Sequence, residues 1–245
     1  MSDLEYRERI YKAYVSGRQK SPAPEAVAGL GGRAASLRRI IRNHFPPDRN
    51  ASILDLGCGH GAFIWFIRQA GFENVTGVDG AAEQVEAARR LGIEGVVQGD
   101  LMEAVRGEPD ASRDVVISYD VIEHLRKGEL LDLTDEVFRI LKPSGRWIIH
   151  APNGESPFVG RIRYGDFTHE QAFTRESITQ LLKTSGFTSV ICEEDAPVPH
   201  GAKSAVRWVL WKLIRGMLGF YMAVETGAVD REAIFTQNFL TIAVK

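Results

Sequence analysis

Three groups of residues have the types and spacing that chemistry needs. The first is Asp55-Leu56-Gly57-Cys58-Gly59-His60-Gly61, set between an apolar run and a helical pattern. Glycines there permit positive φ and let backbone N–H groups approach a ligand closely. The spacing is GxGxG, not the GxGxxG of dinucleotide sites, and no GxxxxGK[ST] loop is present, so a pyrophosphate cradle is not implied. The second group is acidic. Asp79, followed by Gly80, ends the next apolar run, where a carboxylate can accept from both hydroxyls of a ribose. Asp100, followed by Leu101, ends the third run and could accept from an adenine amino group. The third group is Asp120, Glu123 and His124, spaced i, i+3, i+4, with His169 further on. On a regular helical turn the first three share one face. Oxygen and imidazole donors on one face suit a divalent cation, while a histidine alone, with a pKa near ~6.5, suits proton removal near neutrality.

The elements that must position these groups alternate. Runs at 52–56, 74–79, 94–100, 114–120 and 146–152 read as strands. Those at 61–71, 81–92 and 127–145 read as helices, with Gly71 and Gly92 as stops. In the third helix Leu130, Leu133, Val137, Ile140 and Leu141 fall on one face, and Pro143-Ser144-Gly145 ends it. This alternation predicts an α/β fold, a doubly wound parallel sheet. A helical N-terminal extension is expected over 2–16 and 33–44, interrupted at 21–24 and 29–32. Residues 152–172 read as loop. A helix follows, with Thr174 as N-cap and Ser177 in its first turn. Residues 187–195 and 238–245 read as closing strands.

ILDLGCGHG, VTGVDGA, QGDL, DVVISYDVIEHL and LKPSGRWIIHAPN together closely resemble the class I S-adenosylmethionine-dependent methyltransferases. The resemblance covers 52–151 closely and 152–245 more loosely. It implies a Rossmann-like seven-stranded sheet with a reversed last strand and a helical insertion before it. All 245 residues then form one methyltransferase domain: an extension over 1–50, a cofactor core over 51–151 and an acceptor side over 152–245. It implies that Asp55, Gly57, Cys58, Gly59 and Gly61 face the methionine part of the cofactor. Asp79 with Gly80 lies at the ribose, Asp100 with Leu101 at the adenine. Tyr119 and Asp120 lie near the transferred methyl. DNA-base amine enzymes of this fold carry an Asn/Asp-Pro-Pro-aromatic tetrad after the fourth strand. SYDVIEH stands there instead.

Two further resemblances bear on the acceptor. Ubiquinone-type phenol O-methyltransferases and small-RNA 2′-O-methyltransferases carry E-x-x-E-H at this place, the latter with a later histidine matched by His169. They imply a magnesium or manganese site at Asp120, Glu123, His124 and His169. Asp120 departs from the pattern by its shorter reach. Without metal, His169 or His124 is the expected general base, aided by Asp120. His150 is a third candidate. Arg161, Arg163 and Tyr164 could recognise an anionic or polyol group, since Arg presents a fork of donors.

With 30 basic and 32 acidic residues the net charge is −2, which exerts no global pull on nucleic acid. The two cysteines make no disulfide framework. The start mixes charges too densely for a signal peptide, and a cytoplasmic protein is expected. The average hides a basic start, ten Lys/Arg against five Asp/Glu in residues 1–50. It also hides a basic, aromatic segment at 203–223, read as a buried cover for the sheet, the acceptor site or a homodimer partner, or as a helix lying on the inner face of a membrane. This tail, with DFTHEQAFT, resembles methyltransferases found with bacterial polysaccharide-synthesis enzymes. It implies a hydroxyl acceptor on a sugar of a glycan or glycosylated intermediate. A phenol or quinone precursor, an RNA 2′-hydroxyl and a cofactor-binding subunit without turnover remain the rivals.

Overall fold

The runs read as strands each contribute a strand to one sheet. In the computed structural model, residues 9–10 and 23–245 are described. The expected helix over 2–16 lies outside them except for Arg9 and Ile10. The strands are β1 (Ile53–Leu56), β2 (Val75–Asp79), β3 (Val96–Gln98), β4 (Arg113–Tyr119), β5 (Leu141–Pro152), β6 (Ser189–Glu194) and β7 (Asn238–Val244). Their order is β3-β2-β1-β4-β5-β7-β6. The first five are parallel, and β7 runs antiparallel to both β5 and β6. The reversed last strand is as expected.

Helices cover both faces: α1 (Ala34–His44), α2 (Ala62–Gln69), α3 (Ala82–Arg90), α4 (Leu101–Arg106), α5 (Lys127–Ile140), α6 (Val159–Arg163), α7 (Arg175–Thr184) and α8 (Ala202–Thr226). The period of two along each strand divides the core. Leu54, Leu56, Val116, Trp147 and Ile149 pack with α5 residues Leu130, Leu133, Val137 and Ile140. Ile53, Val115, Ile117 and Ile148 point the other way, onto α1 and α2 residues such as Ile40 and Ile64. Burial on both faces explains why these strands read as unbroken apolar runs.

Four details differ from the sequence expectation. Gly29–Gly32 do not break the N-terminal extension; Val27–Arg33 is a 3-10 helix that leads into α1. A short helix, α4, follows β3, and Asp100 caps it by accepting from Met102 and Glu103 N–H. Within 152–172, Val159–Arg163 forms a helical turn. The strand before Pro152 begins at Leu141. The Thr174 cap is found as expected, with Ser177 reciprocating. The long segment near 203–223 is one helix, continuous through Gly216 and Gly219. It is not buried: Ser204 is its one buried residue.

Reversal of strand order between β1 and β4 opens a crevice at their carboxyl ends, the usual ligand position in such sheets. The glycine loop shapes it. Gly57 has φ 68, and a Cβ there would lie 2.5 Å from Val121. Gly61, the N-cap of α2, has φ 77, and its Cβ would meet Ile93 and Val96 within 2.9 Å. Only glycine satisfies both the left-handed backbone and the lack of space.

Candidate active site

The first part of the site is built on β1, β2 and the turn between β1 and α2. Asp79 holds that turn. Its Oδ2 accepts from the Gly59 N–H at 2.7 Å and its Oδ1 from the Ala81 N–H at 2.9 Å. Asp55, at the end of β1, is buried, and its Oδ1 has no hydrogen-bond partner. Gln84 Oε1 and Glu123 Oε2 are likewise buried without partners. Buried polar atoms are nearly always satisfied in native folds, and Asp55 Oδ1, beside the glycine turn, is one that a bound ligand can satisfy. Burial, then the charge of Asp79, pushes the Asp55 carboxyl well above the usual range. Burial also raises Asp79, against the two backbone N–H groups. Burial and both carboxylates push the Cys58 thiol far up, so it is no nucleophile. A crevice that strains two carboxylates toward protonation favours a cationic ligand. Asp100 is exposed at the rim, beyond Gly80 and Gly99.

A second part lies past β4. Asp120 adopts a left-handed backbone, φ 59. Glu123 and His124 sit in the 3-10 helix Ile122–His124, and Asp120, outside it, does not join their group of ligand atoms. The expected shared face of Asp120, Glu123 and His124 is therefore not formed. Glu123, His124 and His169 do come together, with one ligand atom from each within 4.8 Å of the others. His169 Nδ1 donates to the Ile162 carbonyl at 2.9 Å, which makes Nε2 the basic nitrogen of the neutral ring. Nε2 lies 4.0 Å from Glu123 Oε1. His124 Nδ1 bonds the Thr168 hydroxyl at 2.8 Å. The Glu123 carbonyl accepts from Glu170 and Gln171 N–H, clamping the 165–171 loop onto this turn. Burial, then the Asp120 charge, raises Glu123 well above the carboxylate range.

Asp120 belongs to a different network, one that was not foreseen. Its Oδ1 lies 2.5 Å from His150 Nδ1 and its Oδ2 3.0 Å from Arg33. His150 Nε2 faces Asp195 at 3.4 Å, and Ser36 and Arg39 of α1 bind Asp195 in turn. Tyr119 stacks on His150 at 4.1 Å, and the Arg33 guanidinium lies over the Tyr119 ring at 5.4 Å. Arg33, Ser36 and Asp195 carried no sequence signal, because Arg33 stands 87 residues from Asp120. His150, buried between two carboxylates, thus ties the N-terminal helix to the sheet.

Burial opposes protonation of His150, but the charge and hydrogen bond of Asp120, with Asp195, raise its pKa to about 9. An unfolded imidazole titrates near ~6.5. Stabilisation from this network is therefore full below about pH 6.5 and lost as pH rises through about 9. Denaturant unfolding should show a falling midpoint across that window, and His150→Gln should flatten it. A midpoint independent of pH there would remove the charged His150.

Of the three expected acceptor contacts, Arg163 is engaged otherwise. It donates to the His169 and Glu170 carbonyls and stacks on Tyr164 at 5.2 Å. It orders the loop carrying His169. Arg161 and Tyr164 are exposed. His60 stays in the glycine loop, His44 contacts Glu193 at 3.3 Å, and His200 is an exposed loop residue.

This geometry can be set beside known proteins. A model of the family described as a methyltransferase domain matches residues 31–192, well over half of the chain. The chain belongs to that methyltransferase family. A probable S-adenosylmethionine-dependent methyltransferase of Mycolicibacterium smegmatis is 32% identical over 151 residues, 61% of this chain and 56% of that protein. Phosphoethanolamine N-methyltransferase 1 of Arabidopsis thaliana is 28% identical over 176 residues, 69% of this chain and 35% of that protein. This methyltransferase thus spans about half or less of those relatives. A solved S-adenosylmethionine-dependent methyltransferase of Archaeoglobus fulgidus superposes with TM-score 0.64 at 22% identity, covering 97% of this chain and 99% of that one. The seven-stranded sheet with its reversed last strand is the one the resemblance implies. S-adenosylmethionine fits the crevice chemically: its positive charge suits a crevice in which burial raises the Asp55 and Asp79 carboxyls, and its ribose diol can donate to Asp79.

Proposed function

We propose that this S-adenosylmethionine-dependent methyltransferase acts on a hydroxyl, and that the hydroxyl belongs to a sugar of a glycan or glycosylated intermediate. When bound, S-adenosylmethionine supplies an electrophilic methyl. The chain's own residues have two tasks, to align the acceptor oxygen in line with that methyl and to take its proton. A hydroxyl needs a base in a way that a neutral amine does not. The observation that carries the proposal is the His169 ring. It is held by Ile162, with its Nε2 beside the buried Glu123 carboxyl.

The same trio suits a divalent cation, which would lower the acceptor's pKa as a Lewis acid. Two imidazoles and one carboxylate favour manganese over magnesium. A cation would also charge Glu123 and satisfy its orphaned Oε2. The sugar reading rests on the resemblance carried by DFTHEQAFT and the basic tail.

The test is a product screen. Sugar nucleotides, lipid-linked glycans, catechols, phosphoethanolamine and RNA are each incubated with enzyme and S-adenosylmethionine, with chelator and with manganese. A one-methyl mass shift confined to a glycan fraction is the expected result. A shift confined to catechols, amines or RNA overturns the sugar reading. Full activity in chelator removes the metal and leaves a histidine, His169 or His124, to take the proton.

A further inference from the structure

Helix α8 has an inward and an outward side, and their polarity is inverted. Inward, Ser204 is buried, Trp211 Nε1 donates to Glu194 at 3.3 Å, and Arg215 binds Glu194 at 3.2 Å and the Ala233 carbonyl at 2.9 Å. These contacts tie the helix to Glu194 and to the 231–233 segment. Outward, Val206, Leu210, Leu213, Met217, Phe220 and Val224 recur every three or four residues. They are between 52% and 72% exposed. That is one apolar stripe along most of the 25-residue helix. Monomers rarely leave a continuous apolar surface of this kind uncovered.

The charges beside the stripe say what covers it. Helical geometry puts Lys203 and Arg207 along one edge and Lys212 along the other. All three are exposed, and no acid occurs between Ala202 and Val224. A second copy of the chain answers these charges poorly. Antiparallel pairing sets Lys212 near its own counterpart at mid-helix, and parallel pairing sets every cation against itself. Val209, Ile214 and Tyr221 also widen the face beyond the narrow seam that one facing helix covers. No helix among the described residues is long and apolar enough to cross a membrane. A wide apolar face with basic flanks, held parallel to the protein surface, matches a helix that lies in a lipid interface, its lysines reaching up to the headgroups.

We propose that the outward face of α8 docks this protein on an anionic lipid surface. The proposal stands whatever the methyl acceptor proves to be. Flotation of the full chain with phosphatidylcholine vesicles, with and without phosphatidylglycerol, tests it. The chain should bind the anionic vesicles and release at high salt. Leu213→Glu with Met217→Glu should weaken binding at least about tenfold, since each such side chain contributes that much when buried. Lys203→Gln with Lys212→Gln should weaken it about fivefold per cation, on anionic vesicles only. Both pairs are exposed, so thermal melting should stay unchanged. No binding to either vesicle overturns the proposal. So does a concentration-dependent dimer, seen by light scattering, that Leu213→Glu with Met217→Glu dissolves.

Discussion

His169→Ala should lower kcat on the hydroxyl acceptor by about 10²–10⁴, the usual contribution of a positioned general base. Affinity for S-adenosylhomocysteine should not change. His169 stands with Glu123 and His124, 4.0 Å and 4.7 Å away by carboxylate oxygen and ring centroid, and not with the Asp55–Gly61 turn. The fold should survive, because the lost hydrogen bond to Ile162 carries only about 1 kcal/mol. Rate measurement, calorimetry and thermal melting on the same variant separate these effects. Unchanged turnover would reduce His169 to a residue that orders its loop. A deep loss with intact cofactor binding excludes a subunit without catalysis of its own. His124→Ala supplies the comparison: its Nδ1 is committed to Thr168, so a smaller loss is expected. If the trio instead holds a cation, both histidine variants should lose activity together, and added manganese should rescue them in part.

Asp79→Ala is expected to weaken S-adenosylhomocysteine binding by about a hundredfold or more. Two terms combine. A carboxylate oxygen has lone pairs beyond those given to the Gly59 and Ala81 N–H groups, and these can accept a ribose diol. Each hydrogen bond to a charged group contributes about 1.5–3 kcal/mol. Removing the carboxylate also frees the Gly59 N–H and loosens the turn that must approach the ligand. Asp79→Asn should not restore binding, because its amide sets a donor against one of those two N–H groups. Calorimetry on the three proteins decides it, and wild-type affinity in Asp79→Ala would sink the assignment. Asp100→Ala, by contrast, should affect α4 first, since Oδ1 serves as its cap.

Local rules made much of the cofactor half legible. A buried parallel strand reads as an apolar run, a tight strand-to-helix turn with positive φ uses glycine, and ligands bind at the carboxyl ends of the strands. Each of these is settled within a few residues, so β1, β2, β4 and the Asp55–Gly61 turn can be read directly. The same holds for Thr174 with Ser177, a cap closed within three residues. Short α4 escaped because six residues with one buried side chain leave little periodicity to see.

The acceptor half obeys contacts between distant segments. Asp120 and Glu123 share a helical face only if the backbone between them is helical. A left-handed residue at 120 breaks that premise, and Arg33, His150 and Asp195, from three separate segments, take the carboxylate or its partner instead. Likewise, apolar composition at 203–223 says that a surface is sticky, not which side of the molecule it faces. Residue pattern alone determined the alternating strands and helices and the glycine turn, because those depend on neighbours in the chain; the cofactor, the reversed last strand and His169 came through the family resemblance. Only tertiary structure decided which carboxylate joins His169 and which face of α8 meets solvent, because those depend on what folds against them.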